Sequence, residues 1–278
     1  MDKIRQALDR VREERTESSA RQKAGATPRF DSTSATSKPS VAAPLGSFVY
    51  TETRVFTPSA ELLEAYRILD PRSPHAAAGA FRLLRTQVLQ RMDVQGWRSL
   101  AILSPSAHEG KTTIAINLAI SIASDQQHSV LLVDFDFKHP SLATRLGLSP
   151  EFGADDALLG RAHIANCLYH PSGFERLVIF PARDVISNSS EVLSGPQCRE
   201  VVDDLRSRYP ERVLIFDLPP VLSADDALAF APLIECGIVV VKEGATKRED
   251  LVRTIELLHK TPLVGTVLNQ ALDVPSGY

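Results

Sequence analysis

Short unbroken apolar runs recur through the C-terminal two-thirds of the chain, among them Leu100-Ala-Ile-Leu103, Val130-Leu-Leu-Val133, Val213-Leu-Ile-Phe216 and Gly237-Ile-Val-Val-Val241. A strand that is apolar on both faces needs cover on both, which is the situation in a parallel sheet flanked by helices. The pattern predicts strands near 99–104, 130–135, 176–180, 212–217, 237–242 and 263–268. Between them, apolar positions at helical spacing predict helices over 111–124, 197–208, 224–231 and 247–259. An amphipathic helix over 76–92 precedes them, with Phe81, Leu84, Val88 and Met92 on one face and Arg82 and Arg85 beside it. The alternation predicts a doubly wound α/β domain with a mostly parallel sheet and helices on both faces. Ligands are expected at the carboxyl ends of its strands. No internal repeat is evident.

The pattern differs before this domain. Ile4, Leu8 and Val11 stand at helical spacing within residues 1–16, which read as a short charged helix, either solvent-exposed or a docking peptide. Residues 17–47 are rich in Ser, Thr, Ala and Pro, too poor in large apolar side chains to offset their chain entropy, and read as a disordered extension. The remaining 48–278 read as one domain.

Composition narrows the function classes. An apolar content of 44% supports a sizeable core, and a net charge of −3 offers no electrostatic reason to expect nucleic acid as a partner. Cys167, Cys198 and Cys236 lack metal-ligand spacing, and an odd, scattered set fits a reducing cytoplasm. The first residues, Met1-Asp-Lys-Ile-Arg-Gln-Ala-Leu8, have no apolar core of a secretory signal. No run approaches the roughly 18 apolar residues that span a bilayer. A soluble protein is expected, meeting a membrane only through a partner.

Chemistry gathers where three of the apolar runs end. The first leads into Ser104-Pro-Ser-Ala-His-Glu-Gly-Lys-Thr-Thr113 and then a helix carrying Ile114, Leu118 and Ile122 on one face. In a strand–loop–helix setting, the backbone N–H groups of Ala107, His108, Glu109, Gly110, Lys111, Thr112 and Thr113 would cradle phosphates. Lys111 would reach the β- and γ-phosphates, and the Thr112 hydroxyl would coordinate magnesium. Pro105 stands where a first glycine is usual. Asp134 and Asp136 end the next run on the same side of the extended chain. They could hold a magnesium-bound water, act as base toward an attacking hydroxyl, with Asp134 the first candidate, or be solvated charges at a strand terminus. A third carboxylate, Asp217, argues against the last, and is the expected Walker B contact to magnesium, direct or through water. Together the three segments predict a site that binds a nucleoside triphosphate with magnesium and acts on its γ-phosphate. Other polar groups have plainer readings: Ser223 as a helix N-cap with Asp226 at its third position, residues 190–194 as helix-start chemistry, and His108 turned either to the γ-phosphate or to solvent.

The order of these segments resembles the bacterial tyrosine kinases of capsule and exopolysaccharide pathways (the CpsD/CapB-like kinases), a branch of the MinD/ParA-like P-loop ATPases. The likeness runs from about Arg67 to Gln270 and includes Phe81-Arg-Leu-Leu-Arg-Thr86, Gly153-Ala-Asp-Asp-Ala-Leu-Leu-Gly160, Asn188-Ser-Ser-Glu-Val-Leu-Ser194 and Gly265-Thr-Val-Leu-Asn269. It implies ATP and Mg2+, with Lys111 and Thr112 as the Walker A pair, Asp134 and Asp136 as Walker A′ carboxylates, Asp217 as Walker B, and Asn269 at adenine. It also implies a membrane-embedded polysaccharide chain-length regulator as partner, self-association, and a cytoplasmic position at the inner membrane.

The chain departs from the family pattern in three places. Ser106 stands where MinD/ParA proteins place a second lysine, which favours the kinase-like branch. Gly79 replaces the glutamate of the ring-forming Glu-x-x-Arg-x-x-Arg motif that Arg82 and Arg85 would complete, so ring assembly is not predicted. Tyr278 is the one tail tyrosine and thus the one tail phosphoacceptor candidate. The resemblance therefore implies a tyrosine autokinase, with a regulatory ATPase of the export complex as the alternative. A nucleotide-sensing adaptor would not require Lys111, Asp134, Asp136 and Asp217 together.

Overall fold

The computed structural model describes residues 53–72, 75–125, 127–208 and 211–271. The helix expected over 1–16, the extension over 17–47, the first residues of the predicted domain and Tyr278 lie outside the described residues.

Eight strands form one sheet among the described residues: β1 (Arg54–Phe56), β2 (Ser99–Leu103), β3 (Ser129–Asp134), β4 (Tyr169–Pro171), β5 (Leu177–Phe180), β6 (Arg212–Asp217), β7 (Cys236–Lys242) and β8 (Leu263–Asn269). Their order is β1-β4-β5-β3-β6-β2-β7-β8. All neighbours are parallel except β4 and β5. Parallel neighbours need crossover connections, and helices supply them. These are α1 (Ala60–Ala65), α2 (Ala76–Gln95), α3 (Lys111–Ala123), α4 (Leu142–Leu146), α5 (Ala154–Leu158), α6 (Ser189–Ser194), α7 (Pro196–Arg208), α8 (Asp226–Phe230) and α9 (Arg248–Leu257).

The apolar runs divide by the two-residue period of a strand. Leu100, Ile102, Val130, Leu132, Val213 and Ile215 pack with α2, α3 and α4 on one face. Ala101, Leu103, Leu131, Val133, Leu214 and Phe216 pack with α5, α6, α7 and α8 on the other. The predicted doubly wound architecture is therefore the observed one, and all six predicted strands are present. The short β1, β4, α1, α4, α5 and α6 were not among the predicted elements. Each offers too few residues to establish a period.

Two features of the helices matter for function. On α2, Val88 and Met92 are buried, with Phe81 and Leu84 packed against the same cluster. Beside that face, Arg82 Nη1 donates to the Pro71 carbonyl at 2.8 Å and Arg85 Nη1 to the Ser121 carbonyl at 3.0 Å. Both guanidiniums thus make bonds within their own chain. At α8 the structure corrects the capping prediction: the helix starts at Asp226 with Asp225 as N-cap. Ser223 instead lies in a turn, because Val221 N–H bonds the Ser104 carbonyl and Leu222 N–H the Pro105 carbonyl, at 2.9 and 3.1 Å. These bonds to the phosphate loop outweigh the local capping preference.

Under the carboxyl ends of β3 and β6 lies a bed of buried phenylalanines: Phe135, Phe137, Phe180, Phe216 and Phe230. The Phe135 ring sits 5.2 Å from Phe230, 5.4 Å from Phe137 and 5.5 Å from Phe216, centroid to centroid. Because Phe135 stands between Asp134 and Asp136, this packing fixes the backbone that carries both carboxylates.

Candidate nucleotide-binding site

The loop between β2 and α3 is held in shape by its own side chains. Ser104 Oγ donates to the Ser106 carbonyl at 2.8 Å, and Ser106 N–H donates to Glu109 Oε2 at 3.0 Å. The other oxygen of Glu109 accepts the Thr246 hydroxyl from the β7–α9 loop. Asn269, closing β8, donates from Nδ2 to the Glu109 carbonyl at 2.8 Å. The chain then turns into α3 through Gly110 at φ 95°, a left-handed conformation suited to glycine. A Cβ there would also lie 2.0 Å from Asn269 Nδ2. Ala107 and His108 are exposed. The first intrahelical bond of α3 runs from Ile114 N–H to the Gly110 carbonyl. The N–H groups of Lys111, Thr112 and Thr113 therefore lack intrahelical acceptors and sit at the positive end of the helix, ready for an anion.

The carboxylates gather beside this helix start. Asp134 and Asp217 are register partners across the β3–β6 ladder, and both are wholly buried. Asp134 Oδ1 accepts the Asp136 N–H at 3.1 Å, while Oδ2 accepts the N–H groups of Ser141 and Leu142 at 3.1 and 3.0 Å. Burial first, and then the Asp217 charge, push the Asp134 carboxyl up to about 8, against the pull of those N–H groups. Asp136 Oδ1 accepts the His139 N–H at 3.1 Å, and its Oδ2 lies 3.5 Å from Lys111 Nζ in an ion pair about nine-tenths buried on each side. Asp217 differs from both, since neither of its side-chain oxygens has a hydrogen-bond partner. Burial pushes it up to about 6, opposed chiefly by the Lys111 ammonium and then by the Thr112 hydroxyl.

A buried carboxylate that makes no close hydrogen bond, with a cation and a threonine hydroxyl nearby, suits a divalent metal. Among the described residues, no three His, Cys, Asp or Glu side chains are arranged to hold a metal alone. Magnesium commonly keeps waters and takes one or two carboxylates together with substrate phosphates. Thr112 and Asp217, with Asp134 and Asp136 alongside, fit that pattern.

The structure thus brings the predicted Lys111, Thr112, Asp134, Asp136, Asp217 and Asn269 to one edge of the sheet. It also gives Glu109, expected only to offer its N–H, a second part: its side chain joins the loop to Thr246. Thr246 and Arg145 were signalled by no motif. Arg145, in the last turn of α4, donates from Nη1 to Thr113 Oγ1 at 3.0 Å, and its guanidinium lies 4.9 Å from the Tyr66 ring centroid. Such contacts join positions far apart in sequence, so neither period nor spacing could announce them.

Comparison with known proteins agrees with this geometry. The ParA family model, described as NUBPL iron-transfer P-loop NTPase, matches residues 98–274. The tyrosine-protein kinase YwqD of Bacillus subtilis (strain 168) is 28% identical over 191 residues, covering 68% of this chain and 79% of YwqD. The succinoglycan biosynthesis transport protein ExoP of Rhizobium meliloti (strain 1021) is 30% identical over 213 residues, which are 72% of this chain and 25% of ExoP. The chain therefore spans most of the first relative and a quarter of the second. Among solved structures, the VpsO kinase domain is 30% identical with a TM-score of 0.62, covering 69% of this chain and 94% of that domain.

Proposed function

The chain belongs to the ParA family of P-loop NTPases, in its bacterial tyrosine-kinase branch, and we propose that it is a Mg-ATP-dependent phosphotransferase of exopolysaccharide or capsule assembly that passes the γ-phosphate to tyrosine. The observation that carries this reading is the Lys111–Asp136 ion pair at 3.5 Å beside the unpartnered Asp217 carboxylate. All of it sits where β3, β6 and β2 adjoin.

Phosphoryl transfer asks a site for position and charge more than for covalent chemistry. Magnesium, when bound, would offset charge on the phosphate oxygens, held by Thr112 and Asp217 directly or through water. The N–H groups of residues 107–113 would bind the phosphates. Lys111 would exchange Asp136 for the β- and γ-phosphates and bear part of the charge that develops there. The exchange would free one oxygen of Asp136 to accept a proton from an attacking hydroxyl. Asp134, the first candidate for that base in the sequence, has both oxygens engaged by three backbone N–H groups; it would instead set the shape of the turn and contribute its charge to the metal side. Asn269, already bonded to the loop, would reach the adenine. Tyr278 is the proposed tail acceptor, on this chain or a second copy. The partner we propose is a membrane-embedded polysaccharide chain-length regulator, with the chain at the cytoplasmic face of the inner membrane. Among the described residues no helix is long and apolar enough to cross a membrane.

A second reading is an ATPase that regulates the export complex and passes phosphate to water, because the Lys111–Asp136 pair and the Asp217 carboxylate would serve that acceptor equally. Incubation with γ-labelled ATP and magnesium separates the two. Label on tyrosine that disappears in Lys111→Met and Tyr278→Phe supports the kinase. Free phosphate without phosphotyrosine supports the regulatory ATPase.

A further inference from the structure

The guanidinium of Arg145 reaches from α4 back over the first turn of α3. Nη1 donates to Thr113 Oγ1 at 3.0 Å and Nε donates to Ser141 Oγ at 3.3 Å. Ser141 Oγ in turn lies 3.5 Å from Thr112 Oγ1. On its other side the guanidinium is braced over the Tyr66 ring, 4.9 Å from the centroid, within the range of a cation held by an aromatic face. One planar fork therefore binds the hydroxyls of Thr113 and Ser141, and Ser141 in turn adjoins Thr112.

The chemistry of these groups gives the arrangement a direction. Arginine offers donors only, so Thr113 Oγ1 must accept from it, and its own proton must point elsewhere. Thr113 is the third residue of α3, at the end where an anion binds. Its hydroxyl proton is thus available to a phosphate oxygen, and the bond from Arg145 makes it a better donor. One step along a helix turns the side chain by about 100°. Thr112 lies near the Asp217 carboxylate, whereas Thr113 is turned to Arg145 on α4, a step round the helix from the metal side. Within residues 104–113 the basic side chains are Lys111 and the exposed His108, so a triphosphate would otherwise meet little fixed positive charge.

We propose that Arg145 is the second cation of this phosphate site, a positioning residue that acts through Thr113 on the phosphates that stay with the nucleotide. The proposal rests on the nucleotide-site reading above. Calorimetric titration of the full chain with Mg-ADP and Mg-ATP tests it, using wild type, Arg145→Met, Thr113→Val and the double variant, with a melting curve for each. Arg145→Met is expected to weaken ADP and ATP alike, by about tenfold, the scale of a charge-assisted hydrogen bond. In the Thr113→Val background the same change should cost far less, because the two residues act in series. Arg145→Lys keeps the stem but loses the fork, should weaken both nucleotides by a smaller factor, and replaces the Met variant if that one fails to fold. Wild-type affinity in a folded Arg145 variant, losses that add in the double variant, or a loss confined to ATP would each overturn the proposal. Failure of the wild type to bind either nucleotide would instead overturn the nucleotide-site reading on which it stands.

Discussion

Asp134 and Asp217 face each other across the β3–β6 ladder, each the last residue of its strand and each wholly buried. Two carboxylates placed side by side without solvent repel one another, and the cost falls when a cation or a proton is present. The pair belongs to a site that is incomplete without positive charge. Lys111 supplies part of it by pairing with Asp136, and it lies close enough to favour the ionised form of Asp217.

This electrostatic stress should be visible as a pH dependence of stability. Burial raises the folded-state pKa of Asp134 to about 8 and that of Asp217 to about 6, against about 3.9 in an unfolded chain. A carboxyl with a raised folded pKa confers stability that is full below the unfolded value and is lost as pH rises through the folded one. Without nucleotide and metal, the melting temperature should therefore fall between about pH 4 and about pH 8. Asp217→Asn should flatten the decline and raise the melting temperature at the upper end by about 5 °C. Thermal melts across that range check this, and a wild-type melting temperature that climbs with pH would contradict it.

Gly110 meets two separate demands. Its φ of 95° strains any residue with a side chain, and a Cβ would press on Asn269 Nδ2. Gly110→Ala should cost about 1–3 kcal/mol of stability. By displacing the loop it should weaken ATP binding by about a hundredfold. Urea unfolding and calorimetric titration measure the two effects.

Glu109 joins the phosphate loop to the β7–α9 loop through Ser106 N–H and the Thr246 hydroxyl. Glu109→Ala leaves that N–H without its partner and should cost about 1–3 kcal/mol. Amide hydrogen exchange over residues 104–110 should quicken, while exchange in β3 stays as it was. Glu109→Gln keeps an acceptor and should lie between. Unchanged exchange in the alanine variant would show that the clasp does not order the loop.

Phe135 is the packing anchor of the two carboxylates at the carboxyl end of β3, Asp134 and Asp136. Phe135→Ala should cost about 3–5 kcal/mol by leaving a cavity among the four surrounding rings. Nucleotide affinity should fall as well, since Asp134 and Asp136 lose their common support. Phe135→Leu, which fills more of the space, should lose less of both. Chemical denaturation reads the first effect and nucleotide titration the second.

The central strands were legible in the sequence because burial on both faces leaves uninterrupted apolar runs. The site's carboxylates were legible because they close two of those runs, and Lys111 because it opens a helix after the loop that follows a third. The different surroundings of Asp134 and Asp136 could not be read from their spacing. One caps the α4 backbone and the other faces Lys111, a distinction set by the turn over 135–142. The Ser223 cap failed for a related reason: local preference yielded to backbone bonds with Ser104 and Pro105, over a hundred residues earlier. Arg145 carries no motif, and its contacts with Thr113 and Tyr66 exist only once α1, α3 and α4 have packed.

The account turns on Lys111, Asp136 and Asp217 forming a site for ATP together with magnesium. Titration calorimetry of ATP into the full chain, with and without magnesium, for wild type and Asp217→Asn, tests this most directly. Magnesium should tighten wild-type binding by about tenfold or more, through the Thr112 and Asp217 side of the site. Asp217→Asn should lose that gain while keeping its magnesium-free affinity. Equal wild-type affinity with and without magnesium, or an undiminished gain in Asp217→Asn, would contradict the account.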